Sequence, residues 1–314
     1  MSLHRAWEGS MKFGYIGMPD LRKNRRNLVK LAEKLDFRFV YLPRTGPDKI
    51  PRLDQDSSLS LVLDASAFGD VPPSQLEADV RKANGFLDGR LCLGLQTCDA
   101  QASPRNKAAA QAMETLFSYD PRPGQATQSR YPMKPPRPKI LCLPTSGHSA
   151  DSAAAAARGY DPLTPSWLPE TEVARHWPAI VQGATAALRP ARPSQWHIAR
   201  AVVVHDDPAT LESYAYGPNS PFRQYYAHLA AHGLLQGDLD KLMRRLVIAG
   251  DGTKVADDLS ALHEAVGAFG TLHIIDPAGS DPNMTRNTII KLTEDVMPQI
   301  ETSNTPALKT LETT

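Results

Sequence analysis

Short β-rich apolar runs alternate along the chain with longer segments whose apolar residues recur every three or four positions, the pattern of a parallel α/β fold. The first run, Lys12 to Ile16, precedes a polar turn at Gly17 to Asp20 and an amphipathic helix predicted over Leu21 to Leu35. There Leu28, Leu31, Ala32 and Leu35 share a face, while Arg22, Lys23, Arg25, Arg26 and Lys30 fall mostly elsewhere. A second run, Phe39 to Leu42, ends at Pro43; a third, Leu59 to Leu63, follows a loop too short and too broken by Pro47 and Pro51 for a full helix. The fourth, Leu91 to Leu95, comes after a helical stretch from Pro73 to Leu87 with a stop at Gly89, and before an alanine-rich segment from Arg105 to Leu116. A Pro-rich link, Pro121 to Pro138, feeds run five, Ile140 to Leu143. A small-residue turn and five alanines, Ala153 to Ala157, follow it and are closed by Gly159. Run six, Pro162 to Thr164, precedes a helix predicted over Glu170 to Leu188. Run seven, Ile198 to Val204, opens a long helical region from Pro208 to Val266, broken near Gly217 to Ser220, Gly233 and Gly250 to Gly252. Run eight, Thr271 to Ile275, leads to a last helix from about Met284 to Ile300.

Eight β runs separated by helices predict one closed (β/α)8 TIM barrel over residues 11–301 rather than an open doubly wound sheet. Two departures are expected: a reduced second crossover, and a long helical insertion after strand 7. Residues 1–10 and 302–314 are polar and pattern-free, so both ends are expected to be flexible.

Composition narrows the function classes. In 314 residues, 35 Lys+Arg against 34 Asp+Glu leave a net charge of +1, which gives no electrostatic reason to bind nucleic acid. No stretch approaches the roughly 20 apolar residues of a membrane helix. The opening MSLHRAWEGS has no signal-peptide core, so a soluble, cytoplasmic protein with no membrane partner is expected. Cys92, Cys98 and Cys142 sit in or beside apolar runs and read as reduced packing residues, with no zinc spacing.

In such a barrel the reactive groups lie at the C-terminal ends of the strands and in the loops that follow. The candidates are Met18, Arg44, Asp64 to Ser66, Gln96 to Cys98, Thr145 to Ser149, Trp167, His205 with Asp206, and Asp276. The strongest local site is Thr145-Ser146-Gly147-His148-Ser149, where a helix start offers free N–H groups, Gly147 permits close approach and hydroxyls add donors for a phosphate. A plain helix cap by Ser146 or Ser149 stands beside that reading at equal weight. His228 and His232 have the spacing of a helical metal pair, but Leu229 replaces the glutamate a zinc protease needs, so no metal is expected. Asp64 and Asp276 are not marked as glycosidase partners, and neither a nucleophile elbow nor a Walker loop occurs. An anion cradle with few acid–base groups fits chemistry carried by a phosphorylated cofactor.

Several segments together carry a family resemblance: Met11 to Asp20, Phe86 to Gly94, Pro136 to Ile140 with its alanine-rich helix, Val247 to Leu259, Val266 to Asp276, and Thr293 to Pro298. In their order and spacing they resemble the bacterial luciferase-like flavin-dependent monooxygenases. The resemblance implies a luciferase-like barrel that binds reduced FMN, or in some branches the deazaflavin F420, at its C-terminal mouth. It further implies oxygenation of a small-molecule substrate, an NAD(P)H-dependent flavin reductase as partner, and a homodimer. By position the flavin phosphate falls near Thr145, Ser146, Gly147, His148 and Ser149, with Thr97 also at the cofactor, and Asp64, Ala65 and Ser66 pack against the ring. The resemblance also implies that the segment from Pro221 to Tyr226 closes over the substrate. The chain departs from the family where Pro43-Arg44-Thr45 replaces a usual histidine and Gln96-Thr97-Cys98 replaces a phosphate-binding arginine. Arg44 and His148 are then the candidates for polar catalysis. Two alternatives stand beside this: a catalytically silent flavin-binding or structural relative, and a barrel using the same cradle for a phosphorylated substrate without flavin.

Overall fold

The computed structural model describes residues 11–17, 25–42, 49–65, 73–96, 138–143 and 146–304. Nine strands form one parallel sheet: β1 (Lys12–Gly17), β2 (Phe39–Leu42), β3 (Ser60–Asp64), β4 (Leu91–Gln96), β5 (Lys139–Leu143), β6 (Asp161–Thr164), β7 (His197–Val204), β8 (Val247–Gly250) and β9 (Thr271–Asp276). All but β8 close a barrel, because β6 pairs with β7, β7 with β9, and β9 with β1. The expected eight-stranded barrel is therefore present.

Alternation along each strand separates two apolar layers. Ile16, Phe39, Tyr41, Val62, Leu141 and Leu163 fill the interior, while Tyr15, Val40, Leu61, Leu63, Leu93 and Val202 face the helices. The N-terminal end of the barrel holds polar groups. His197 Nδ1 lies 2.9 Å from His273 Nε2, and Gln195 Nε2 donates to Asp161 Oδ1 at 3.2 Å. Gly14 is required there, since a Cβ would stand 2.5 Å from His273 Nδ1.

Among the described residues the α-helices are α1 (Arg25–Lys34), α2 (Pro73–Phe86), α3 (Ser149–Arg158), α4 (Glu170–Val173), α5 (His176–Ala186), α6 (Pro208–Tyr216), α7 (Pro221–Ala231), α8 (Leu239–Leu246), α9 (Gly252–Val266), α10 (Pro282–Lys291) and α11 (Met297–Asn304). Three expectations are corrected. The single helix over Glu170 to Leu188 is two, because Pro178 is compatible with the first turn of α5 but not with an unbroken helix. The last helix is interrupted by a π turn, Leu292–Val296, just before Pro298, whose missing N–H removes the regular bond to the preceding turn. Within the region read as helical from Pro208 to Val266, Val247–Gly250 is a strand paired with Ala201 to Val204. Four residues are too few to show a period. Helix α11 runs to Asn304.

Between β2 and β3 the described residues 49–59 carry no α-helix, as the reduced crossover requires. Polar clamps fasten this segment. Lys30 Nζ reaches Asp54 Oδ1 at 2.7 Å, and Ser58 Oγ donates to Asp36 Oδ1 at 2.7 Å. Arg90 Nη1 donates to the Asp54 and Ser57 carbonyls at 2.7 and 2.9 Å.

The five alanines of α3 let α5 approach closely, and a Cβ on Gly183 would stand 2.0 Å from the Ala153 carbonyl oxygen. Backbone cannot move aside as a side chain can. Gly183→Ala is expected to destabilise the protein by about 3 kcal/mol. A denaturation midpoint within error of wild type would contradict this packing.

Candidate active site at the barrel mouth

The C-terminal mouth is built by strand ends, the loops after β5 and β6, and the insertion after β7. On β2, Tyr41 faces inward and its hydroxyl donates to Asp64 Oδ2, at the end of β3, at 3.1 Å. Gly94 is glycine because a Cβ would stand 2.9 Å from the Tyr41 ring. Burial first, then the Asp64 charge and hydrogen bond, push the Tyr41 hydroxyl well above its ordinary range. The phenol therefore keeps its proton, and Asp64 is held as a hydrogen-bond acceptor.

After β5, Ser146 Oγ accepts from the His148 N–H at 3.1 Å and donates to Asp151 Oδ2 at 2.5 Å. His148 occupies the N-cap position of α3 in extended conformation, but its side chain is exposed and makes no cap. Gly147 lies under the loop after β6, where a Cβ would stand 2.8 Å from Leu168 Cδ2 and 3.5 Å from Trp167 Nε1. His176 supports this loop from below. Its Nδ1 is 2.8 Å from Ser152 Oγ, and its ring is hydrogen-bonded to the Gly147 carbonyl. Burial pushes the imidazole down to about 4, so it is neutral at physiological pH.

The structure thus brings Asp64, Ser146, Gly147, His148 and Ser149 to the mouth. Ala65 follows Asp64 but packs in the layer between strands and helices. Arg44, Ser66, Thr97 and Thr145 lie outside the described residues, as do Met18 and Cys98. Asp276 does not face the mouth: it accepts from the Tyr15 hydroxyl and from Thr285 Oγ1 between barrel wall and α10. Burial raises its carboxyl above the usual range. His205 and Asp206 belong to the start of α6, where the Asp207 N–H donates to His205 Nδ1 at 3.1 Å and Lys291 Nζ binds Asp206 Oδ1 at 3.0 Å. Cys92 and Cys142 are buried, as expected for packing residues.

Tyr41, Asp151 and His176 escaped the sequence reading. Tyr41 was recoverable, since strand alternation puts it with Phe39 on the face opposite Val40 and Leu42. His176 comes from a helix remote in sequence and carries no local signal.

No protein-family model matches the sequence, and no curated protein matches it. Solved structures do. One is a type II Baeyer-Villiger monooxygenase, the oxygenating constituent of 3,6-diketocamphane monooxygenase of Pseudomonas putida in complex with FMN, at 16% identity and TM-score 0.66 over 93% of this chain and 99% of that one. A monooxygenase from Streptomyces bottropensis is 18% identical, with TM-score 0.64 over 92% and 99%. The coenzyme F420-dependent tetrahydromethanopterin reductase of Methanopyrus kandleri is 15% identical, with TM-score 0.59 over 93% and 100%. At these identities the likeness is one of fold: the chain shares the (β/α)8 barrel of these enzymes.

Proposed function

We propose that this barrel is a flavin-dependent monooxygenase that uses reduced FMN and dioxygen to oxygenate a small organic substrate. The supporting observation is the fold, shared along nearly the whole length with oxygenases, one of them holding FMN, and with an F420-dependent reductase. An NAD(P)H-dependent reductase as the source of reduced flavin, and a homodimer, belong to the same reading.

The residues present fit such a cofactor. The first turn of α3 offers the N–H groups that every helix start leaves free, and the Ser146 hydroxyl, which donates to Asp151, would join them on turning away from that carboxylate. The Asp151 carboxylate, bonded to Ser146 Oγ, adds a negative charge in that turn and weakens the cradle for a dianion. Phosphate binding there accordingly draws on backbone donors more than on side-chain charge. Bound reduced flavin would supply the two electrons that let one oxygen atom of dioxygen enter the substrate and the other leave as water. The chain would bind and orient: Asp64, fixed by Tyr41, is an acceptor for a ring N–H, and the apolar layer beneath excludes water.

The test is an anaerobic titration with FMN, riboflavin and F420, each oxidised and reduced, followed by absorbance and fluorescence. Reduced FMN is expected to bind saturably and at least about tenfold more tightly than riboflavin, and Ser146→Ala to narrow that ratio. No flavin binding in any state sinks the proposal. Binding without oxygen consumption across a substrate panel, with a reductase present, leaves the silent relative.

A further inference from the structure

β6 ends at Thr164 while β7 continues to Val204, and polar side chains from the loop after β6, from β7 and from α7 meet beyond the end of β6. Arg200, on β7, is 1% exposed. Its Nη1 donates to the Ala199 carbonyl at 3.0 Å and reaches that of Pro165 at 3.5 Å, whereas Nη2 has no hydrogen-bond partner. Among the described residues no carboxylate lies within ion-pair distance of it. The carboxylate acting on it is that of Glu170, itself set against Arg245 Nε at 3.7 Å. The Tyr226 hydroxyl, on α7, is fully buried and also without a partner; it lies in the field of Arg200 and beside Ser166. Ser166 is buried too, and its Oγ is 3.0 Å from the hydroxyl of Tyr225, which packs against the side chains of the barrel interior.

A guanidinium withdrawn from water without a counter-ion is costly, and two unsatisfied polar atoms in one buried cluster demand an account. The guanidinium offers hydrogens and accepts none. Hydroxyl dipoles in its field turn their oxygens toward it and their hydrogens away. The Tyr226 oxygen is thus turned toward the guanidinium, its hydroxyl having no hydrogen-bond partner, and the Ser166 hydroxyl donates to Tyr225, whose own hydrogen is left for the barrel interior against which its ring packs.

We propose that Ser166 and Tyr225, polarised by the buried charge of Arg200 behind Tyr226, form a directed hydroxyl relay that makes the β6–β7 side of the mouth a site for an anionic oxygen, the carboxylate of an organic substrate. This rests on the mouth being the ligand site of the proposed function. Tyr225 is the contacting donor. Arg200 is a positioning residue that acts through the hydroxyls and through its uncompensated charge, whose reach is long where water is excluded.

The experiment is calorimetric titration of the full chain with benzoate and with benzamide, which share shape and differ in charge. Benzoate is expected to bind at least about tenfold more tightly. Tyr225→Phe and Ser166→Ala should bring the ratio toward one, Arg200→Lys should keep part of it, and Arg200→Met should abolish it. Should Arg200→Met not fold, Tyr225→Phe and Arg200→Lys decide. Equal affinity, binding of neither probe, or an unchanged ratio in Tyr225→Phe overturns the relay. A flavin titration on the same preparations separates the two proposals: flavin binding without carboxylate preference removes the relay alone, and carboxylate preference without flavin binding removes the cofactor.

Discussion

Replacing Trp196 by alanine is expected to lower the free energy of unfolding by about 3–5 kcal/mol, the largest effect of any single truncation considered. Trp196 stands immediately before β7 and is fully buried. Its ring stacks on Trp177 of α5 at a centroid distance of 5.8 Å and meets Phe269 edge-on at 6.3 Å. Its Nε1 donates to Thr164 Oγ1 at 2.8 Å, and its carbonyl accepts from the Gly270 N–H at 2.8 Å. One residue thereby ties the end of β6, the start of β9 and the outer helices together. The measurement is a denaturant midpoint at unchanged slope. Trp196→Phe should recover most of the loss and leave about 1–2 kcal/mol for the unpaired Thr164 hydroxyl. If phenylalanine costs as much as alanine, the ring stacking is not what Trp196 contributes.

Acidification is expected to remove stability on the order of 3 kcal/mol through His176 alone. Its imidazole is held neutral to about pH 4 in the fold, against an ordinary value of 6.5 when the chain is unfolded. Below 6.5 the unfolded state takes up a proton that the folded state refuses, so the contribution is complete above 6.5 and declines as pH falls to about 4. His263, also pushed down to about 4 by burial, and His273, pushed well below its usual value by burial and by His197, act in the same direction. Stability measured against pH for wild type and His176→Asn should converge as the pH is lowered. Parallel curves would show that His176 is not the titrating group. Because the same ring holds the Gly147 carbonyl, weakening of the loop after β5 should accompany the loss.

Much of this architecture was legible because its signals are local. Strands such as His197–Val204 are buried on both faces in a barrel packed inside and out, and Gly159 takes a positive φ of 77° at the end of α3. What escaped depends on contacts distant in sequence. Pro178 and Pro298 break helices whose apolar pattern continues through them, and β8 exists because β7 offers an unpaired edge. Among candidate site residues, period two along β2 would have found Tyr41. Asp276 was placed by its strand end alone, which does not say whether the last side chain turns toward the mouth or toward the helices. The relay around Arg200 joins β7, the loop after β6 and α7, and only the closed barrel brings them together.

The second crossover gives the barrel one wall of a different physical kind. The described helices cover the strands by apolar burial; at residues 49–59, where Ile50, Leu53 and Leu59 also pack on the core, the cover is further fastened by Lys30, Asp36, Asp54 and Arg90. Hydrophobic cover is not weakened by added salt, whereas the exposed Lys30–Asp54 pair is, through screening over a length of about 8 Å at physiological ionic strength. Amide hydrogen exchange in this segment should therefore quicken as salt is added, while the strands beneath keep their protection. Ionic strength would act there as a local control on how tightly one flank of the barrel is closed.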